Sequence, residues 1–273
     1  MPGVAPDPPV IGLFDSGVGG LSLWRELRRA LPAMPLIYAA DTAAFPYGAR
    51  SAAEVAARAR ALAQLLVAQG ATLLVAACNS IGTAALAEVR AATGVPVVGT
   101  VPAIRPAAAA TASGQIAALV TPLTAGGLGY AALLAAVPPH VQVWTRPCAG
   151  LAEQVEAGVL ASPRTRALVV RALAEPVAAG VDAVVLGCTH YVFLAPLVQA
   201  VAGPNVRLFD GNAGVVRQVE RLVSTSTPST VQLANRCFTT GPAAPFAAVA
   251  RRLLGREAAA LGPIVQHPIE ADR

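Results

Sequence analysis

Short runs of continuous apolar residues alternate along the chain with longer, Ala-rich stretches whose apolar positions recur at helical spacing. The runs Val10–Phe14, Leu36–Ala40, Thr72–Ala77, Pro96–Gly99, Ile116–Thr121, Val141–Thr145, Ala183–Gly187 and Val206–Phe209 predict strands. Between them, stretches such as Gly20–Leu31, Ala52–Gln69 and Ile81–Ala92 predict helices. Strands without polar alternation must be covered on both faces. Helices laid on both sides of a parallel sheet provide that cover.

The order then repeats. "IGLFDSGVGGLS" falls opposite "IAALVTPLTAGG", "LIYAADT" opposite "VQVWTRP", "GATLLVAACNS" opposite "GVDAVVLGCTH" and "VPVVGTVPA" opposite "NVRLFDGNA". The expected fold class is therefore α/β, with two similar doubly wound parallel-sheet domains related by a pseudo-twofold and an active site in the cleft between them. The boundaries expected are 1–100 plus 211–273 for the first domain, with its C-terminal extension, and 101–210 for the second. The extension reads as a helix from about Gly211, a strand in "VQLANRCFTT" and a helix in "PFAAVARRLLG", packed on the first half.

Composition narrows the chemistry. All 20 cationic side chains of the 273 residues are Arg, and Lys is absent. Without lysine there is no Schiff base to pyridoxal phosphate and no phosphate-loop lysine. The net charge is +5, yet the arginines are scattered and aromatics are only 4%, which reads as a solvated basic surface and not a nucleic-acid site. The stretch Pro106–Thr145 carries no Asp, Glu or Arg, but Pro122, Pro138, Pro139 and a glycine cluster interrupt it, so no membrane span is expected. The Pro-rich N-terminus lacks the basic start of a signal peptide, and a cytoplasmic location is expected. Cys78, Cys148, Cys188 and Cys237 form no CxxC pair, and His140, His190 and His267 do not cluster, so no metal site is expected.

Parallel sheets place ligands at the carboxyl ends of their strands. The polar clusters fall there: Asp15-Ser16, Asp41-Thr42 and Cys78-Asn79-Ser80 in the first half, Thr121, Thr124 and Cys188-Thr189-His190 in the second. Cys78 and Cys188 end matching strands. Either alone reads as a buried strand-end thiol. Both at equivalent positions, facing one cleft, suit removal of a proton from one face of a carbon and delivery to the other. Asp15 and His190 are the candidate partners, one for each thiol. Cys148 and Cys237 read as buried or incidental thiols. "GVGG" could cap a helix over a carboxylate or phosphate, and it nearly matches GxGxxG, with Ser22 in place of the last glycine. A nucleotide-dependent oxidoreductase would rest on that near match alone.

Together "FDSGVGGLS", "DTAAFPYGARS", "VAACNS", "VEAG" and "LGCTHYVFLAPL" resemble the glutamate racemase family, over about Ile11 to Gly255. The resemblance implies catalytic roles for Cys78, Cys188, Asp15, Glu156 and His190. It implies substrate binding by Asp15, Ser16, Tyr47, Gly48, Asn79, Ser80, Thr124, Thr189 and His190. It implies no cofactor, glutamate as the small-molecule partner, no nucleic-acid or membrane partner, a homodimer as the protein assembly to look for, and supply of D-glutamate for peptidoglycan. The chain departs from the pattern at Ser80 (usually Thr), Gly82 (a hydroxyl position, with Thr83 one step along), Ala44 (usually Arg) and Gly127 (often Ser). Two other readings stand beside it: racemisation of aspartate or another acidic amino acid, and a two-lobed ligand-binding protein without catalysis.

Overall fold

The computed structural model describes residues 9–224 and 234–270, so residues 231–233 of the expected strand "VQLANRCFTT" lie outside the described residues. The strands are β1 (Ile11–Asp15), β2 (Leu36–Ala40), β3 (Leu73–Ala76), β4 (Val97–Gly99), β5 (Gln115–Val120), β6 (Gln142–Pro147), β7 (Ala183–Gly187), β8 (Arg207–Phe209), β9 (Arg236–Thr239) and β10 (Ile264–Gln266). They form two sheets, ordered β10-β9-β2-β1-β3-β4 and β6-β5-β7-β8. All pairings are parallel. The order β2-β1-β3-β4 in one half recurs as β6-β5-β7-β8 in the other, so the repeat in sequence is a repeat in topology.

The continuous apolar runs have the expected cause. Every residue of β1, β2, β3 and β7 is buried, because helices cover both faces. The covering helices start where local chemistry says they should. Ser51 and Glu54 form a reciprocal capping box at the head of Ala52–Ala68. Ser162 caps Pro163–Ala178, with proline at the first helical position. One apolar core is continuous between the halves, joining Leu13, Leu23 and Tyr38 of the first to Leu186, Tyr191 and Leu194 of the second.

The C-terminal segment returns to the first half. β9 pairs with β2, and the helix Asn212–Val223 meets the helix Leu21–Ala30 where the Asn212 amide donates to Glu26 at 2.9 Å. β10, which extends that sheet, was not expected from sequence. One element is corrected: the helix expected over Ile81–Ala92 is two, Asn79–Ala84 and Leu86–Ala92, broken at Ala85 (φ −138°). The first of these lies so close to the end of β4 that a Cβ on Gly82 would sit 1.8 Å from the Thr100 carbonyl oxygen. Among the described residues, no helix is long and apolar enough to cross a membrane.

Candidate active site

β1, β3 and β7 deliver Asp15, Cys78 and Cys188 to the same end of the molecule. Phe14 pairs with Ala76 across β1 and β3, so Asp15 and Cys78 leave neighbouring strands together. Cys78 is the last extended residue before the helix Asn79–Ala84. Cys188 likewise precedes a tight helical turn, Thr189–Leu194. The turns begin here because successive small and polar residues, Asn79-Ser80 and Thr189-His190, end the apolar runs.

Between the halves lies a narrow pocket of about 50 Å³. The first half contributes Ser16, Tyr47, Gly48, Cys78 and Ser80 to its wall, and the second contributes Thr121, Cys148, Glu153, Cys188 and His190. The two expected thiols thus reach one pocket from opposite sides, 5% and 6% exposed respectively. Asp15, Asn79, Thr124, Thr189 and Glu156 adjoin lining residues without being among those that line the pocket. Thr124 supports it: its backbone N–H donates to Thr121 Oγ1 at 3.2 Å, and Thr121 Oγ1 lies 3.0 Å from Ser80 Oγ across the cleft. Tyr47 presents its ring, because its hydroxyl donates to Asp41 at 2.6 Å. Asp41 is held further by Arg58 and Thr240, so the Asp41-Thr42 cluster braces the wall without lining it.

The two thiols differ in their neighbours. Cys188 Sγ is 3.8 Å from His190 Nδ1, and His190 Nε2 is 2.8 Å from Glu156 Oε2. Burial alone would lower the His190 pKa, but its hydrogen bonds and charge interactions with Cys188 and Glu156 outweigh this and hold it well above the ordinary value. Cys78 has no imidazole beside it. Its sulfur lies 4.0 Å from Ser16 Oγ, and burial, then the Asp15 charge, then Cys188 push the thiol up to about 12. Asp15 is fully buried. Burial raises its carboxyl, opposed by His190 and by the Gly17 N–H that donates to it at 2.9 Å. Thr189 donates to the same carboxylate at 3.1 Å, so a hydroxyl of one half engages the acid of the other.

The glycine turn closes this arrangement. Val18 N–H donates to Glu156 Oε2 at 3.0 Å, so the carboxylate received at this turn belongs to the protein itself. A Cβ on Gly17 would fall 2.3 Å from Glu156 Oε2, and one on Gly19 2.3 Å from His190 Nδ1. The glycines make room for the opposite half. The near-GxGxxG match therefore has no ledge for a pyrophosphate, which corrects the dinucleotide reading.

Sequence reasoning missed part of the wall. Cys148, read as a buried or incidental thiol, is buried but also lines the pocket with Tyr191, whose hydroxyl donates to the Cys148 carbonyl at 3.0 Å. Arg50 turns away: it donates to the Ala44 carbonyl and pairs with Glu54 at 3.6 Å. A larger cavity of about 770 Å³, lined among others by Arg90, Arg105 and Arg217, holds none of the candidate residues. Among the described residues, no cluster of side chains could hold a metal ion.

Two like halves of parallel sheet with a pocket between them are the architecture of a known enzyme class. The Asp/Glu/Hydantoin racemase family matches residues 11–219, and the chain belongs to that family. Among individual relatives, it is 45% identical over 222 residues to the glutamate racemase of Pseudomonas aeruginosa, covering 81% of this chain and 84% of that one. It is 43% identical over 251 residues to the glutamate racemase of Ectopseudomonas mendocina, covering 91% and 95%. The solved structure of Escherichia coli glutamate racemase in complex with L-glutamate and the activator UDP-MurNAc-Ala superposes with a TM-score of 0.85. It is 31% identical, and the match covers 97% of this chain and all of that one.

Proposed function

We propose that this chain interconverts L- and D-glutamate by a two-thiol mechanism without a cofactor, and so supplies D-glutamate for peptidoglycan. The observation that carries the reading is one pocket with Cys78 on its first-half wall and Cys188 on its second. A stereocentre is inverted when a thiolate removes the α-proton from one face and a thiol delivers a proton to the other. The thiols exchange roles in the reverse direction.

Each side has its own assistant. His190, held by Glu156, stands where an imidazolium can pair with the Cys188 thiolate. Asp15 lies on the Cys78 side, its orientation fixed by Gly17 and Thr189. Ser16, Ser80 and the Tyr47-Gly48 turn, with Asn79, Thr189 and His190, are the proposed substrate contacts. Thr124 acts by holding Thr121. The Asn79 side-chain amide oxygen Oδ1 is buried with no hydrogen-bond partner among the described residues, which suits it to accept a hydrogen bond from a bound ligand. Among the described residues no arginine lines the pocket, so the distal carboxylate is bound by hydroxyls and backbone N–H groups. The halves 1–100 with 211–273, and 101–210, are the domains that close over the substrate.

The test is direct. Purified protein with either enantiomer should racemise it with no additive, and Cys78→Ser and Cys188→Ser should each abolish the reaction. Full turnover by Cys188→Ser would refute the two-base reading.

A further inference from the structure

The ladder between β9 and β2 ends where Thr239 meets Ala40, but the hydroxyls at this end of β9 reach further, into the turn that leads to Tyr47. Thr42 Oγ1 lies 2.7 Å from Thr239 Oγ1 and accepts from the Gly241 N–H at 3.0 Å. Thr240 Oγ1 accepts from the Ala43 N–H at 3.0 Å and donates to Asp41 Oδ1 at 2.6 Å. Arg58, on the helix Ala52–Ala68, donates to the same oxygen at 2.7 Å and also to Asp41 Oδ2. Asp41 Oδ2 accepts from the Tyr47 hydroxyl at 2.6 Å. Asp41 is 0% exposed and Thr240 5%, so water is no substitute for either partner. Three segments remote in sequence thus converge on one buried carboxylate. What that carboxylate holds is a wall of the substrate pocket, the Tyr47 ring and the adjoining Gly48.

We infer that Thr240, in the C-terminal extension, is a positioning residue for substrate binding, acting through Asp41 on the Tyr47-Gly48 turn. The inference rests on the racemase reading and gives the extension a part in that same site. A turn fixed before the substrate arrives need not be ordered by it, so its contacts form at a lower entropic cost. Without the Thr240 hydroxyl, Asp41 Oδ1 keeps Arg58 and the Ala43 N–H loses this acceptor. The carboxylate then shifts toward Arg58 and takes the Tyr47 hydroxyl with it. Cys78 and Cys188 leave β3 and β7, whereas this network joins β2, β9 and the helix Ala52–Ala68. Binding therefore suffers and proton transfer does not.

The experiment is steady-state kinetics in both directions on Thr240→Val, which keeps the side-chain shape and removes the hydroxyl, with thermal melting on the same sample. KM should rise about tenfold for both enantiomers alike, while kcat stays within about twofold of the unaltered protein. Thr240→Ser, which keeps the hydroxyl, should retain the original KM. Tyr47→Phe cuts the same line at its other end, so adding Thr240→Val to it should raise KM little further, where two independent lesions would multiply. An unchanged KM in folded Thr240→Val, a loss confined to kcat, a raised KM in Thr240→Ser, or full multiplication in the double variant overturns the inference. If Thr240→Val does not fold, Arg58→Gln disturbs the same carboxylate from a side chain that is 19% exposed, and an unchanged KM there overturns it equally. Failure of the racemase reading looks different, since the unaltered protein then inverts neither enantiomer.

Discussion

Cys78 and Cys188 occupy equivalent strand ends, but one sulfur lies beside an imidazole and the other near a carboxylate. Replacing either with serine nearly keeps the volume and removes the acidic thiol. Stability should change by about 1–2 kcal/mol, read by urea unfolding, while racemisation falls to background. Asp15→Asn and His190→Asn should slow the two directions unequally in kcat and KM taken separately, since the ratio of kcat/KM values is fixed by an equilibrium constant of one between enantiomers. Identical small losses in every parameter would reduce both residues to structural support. At this scale the sequence was informative because "FDSGVGG", "VAACNS" and "GCTHY" each put reactive and polar residues directly after an apolar run. Cys148 was not legible. Whether a strand-end thiol faces the pocket depends on the turn that follows β6, and no pattern in "TRPCAG" specifies that turn.

Elements bring the two halves together by means the pattern of apolar residues does not encode. The turn before Leu21–Ala30 packs its glycines against Glu156 and His190, and an added methyl at Gly19 would fall 2.3 Å from His190 Nδ1. Gly19→Ala should therefore displace the ring from Cys188. Overpacking of this kind costs about 1–3 kcal/mol, and the loss of kcat should exceed anything that this destabilisation explains, as steady-state kinetics and thermal melting on the same sample would show. Full activity in Gly19→Ala would mean that the contact does not set the ring. The inner strands were legible almost to the residue, since burial on both faces leaves unbroken apolar runs. The break at Ala85 was not, because helical spacing continues through it. β10 is three residues long, too short to carry any periodicity.

The whole molecule buries its thiols, and this has a pH signature. Burial, with smaller charge effects, raises Cys78 and Cys148 to about 12 from an ordinary value of 9.0. The folded state therefore holds these protons after the unfolded chain has released them. Their contribution to stability is complete below pH 9 and is lost as pH rises toward 12, by about 1.4 kcal/mol per pH unit for each thiol. Urea midpoints should fall over that interval, and less steeply in Cys148→Ala; an unchanged slope in that variant would remove Cys148 from the account.

Substrate choice is also a property of the closed molecule. Aspartate is one methylene shorter, so its distal carboxylate leaves donors unpaired or draws the α-carbon off the line between the thiols. At about 1–3 kcal/mol for each buried unpaired donor, glutamate should be preferred by roughly tenfold to a hundredfold in kcat/KM. Equal or faster turnover of aspartate would reassign the substrate. The duplicated architecture was readable from sequence because matching motifs recur in one order. The closeness of the two halves was not, since it rests on bonds such as Thr189 to Asp15 that join residues far apart in the chain.

The fate of the α-hydrogen when purified protein and L-glutamate are mixed in D2O, with nothing else added, tests two-thiol racemisation most directly. Proton resonance should show the α-signal disappearing as circular dichroism decays to zero, with one deuterium in each molecule of D-glutamate and neither change in Cys78→Ser or Cys188→Ser. An undiminished α-signal and a constant dichroism, or activity that appears only when pyridoxal phosphate or a nicotinamide is supplied, would contradict it.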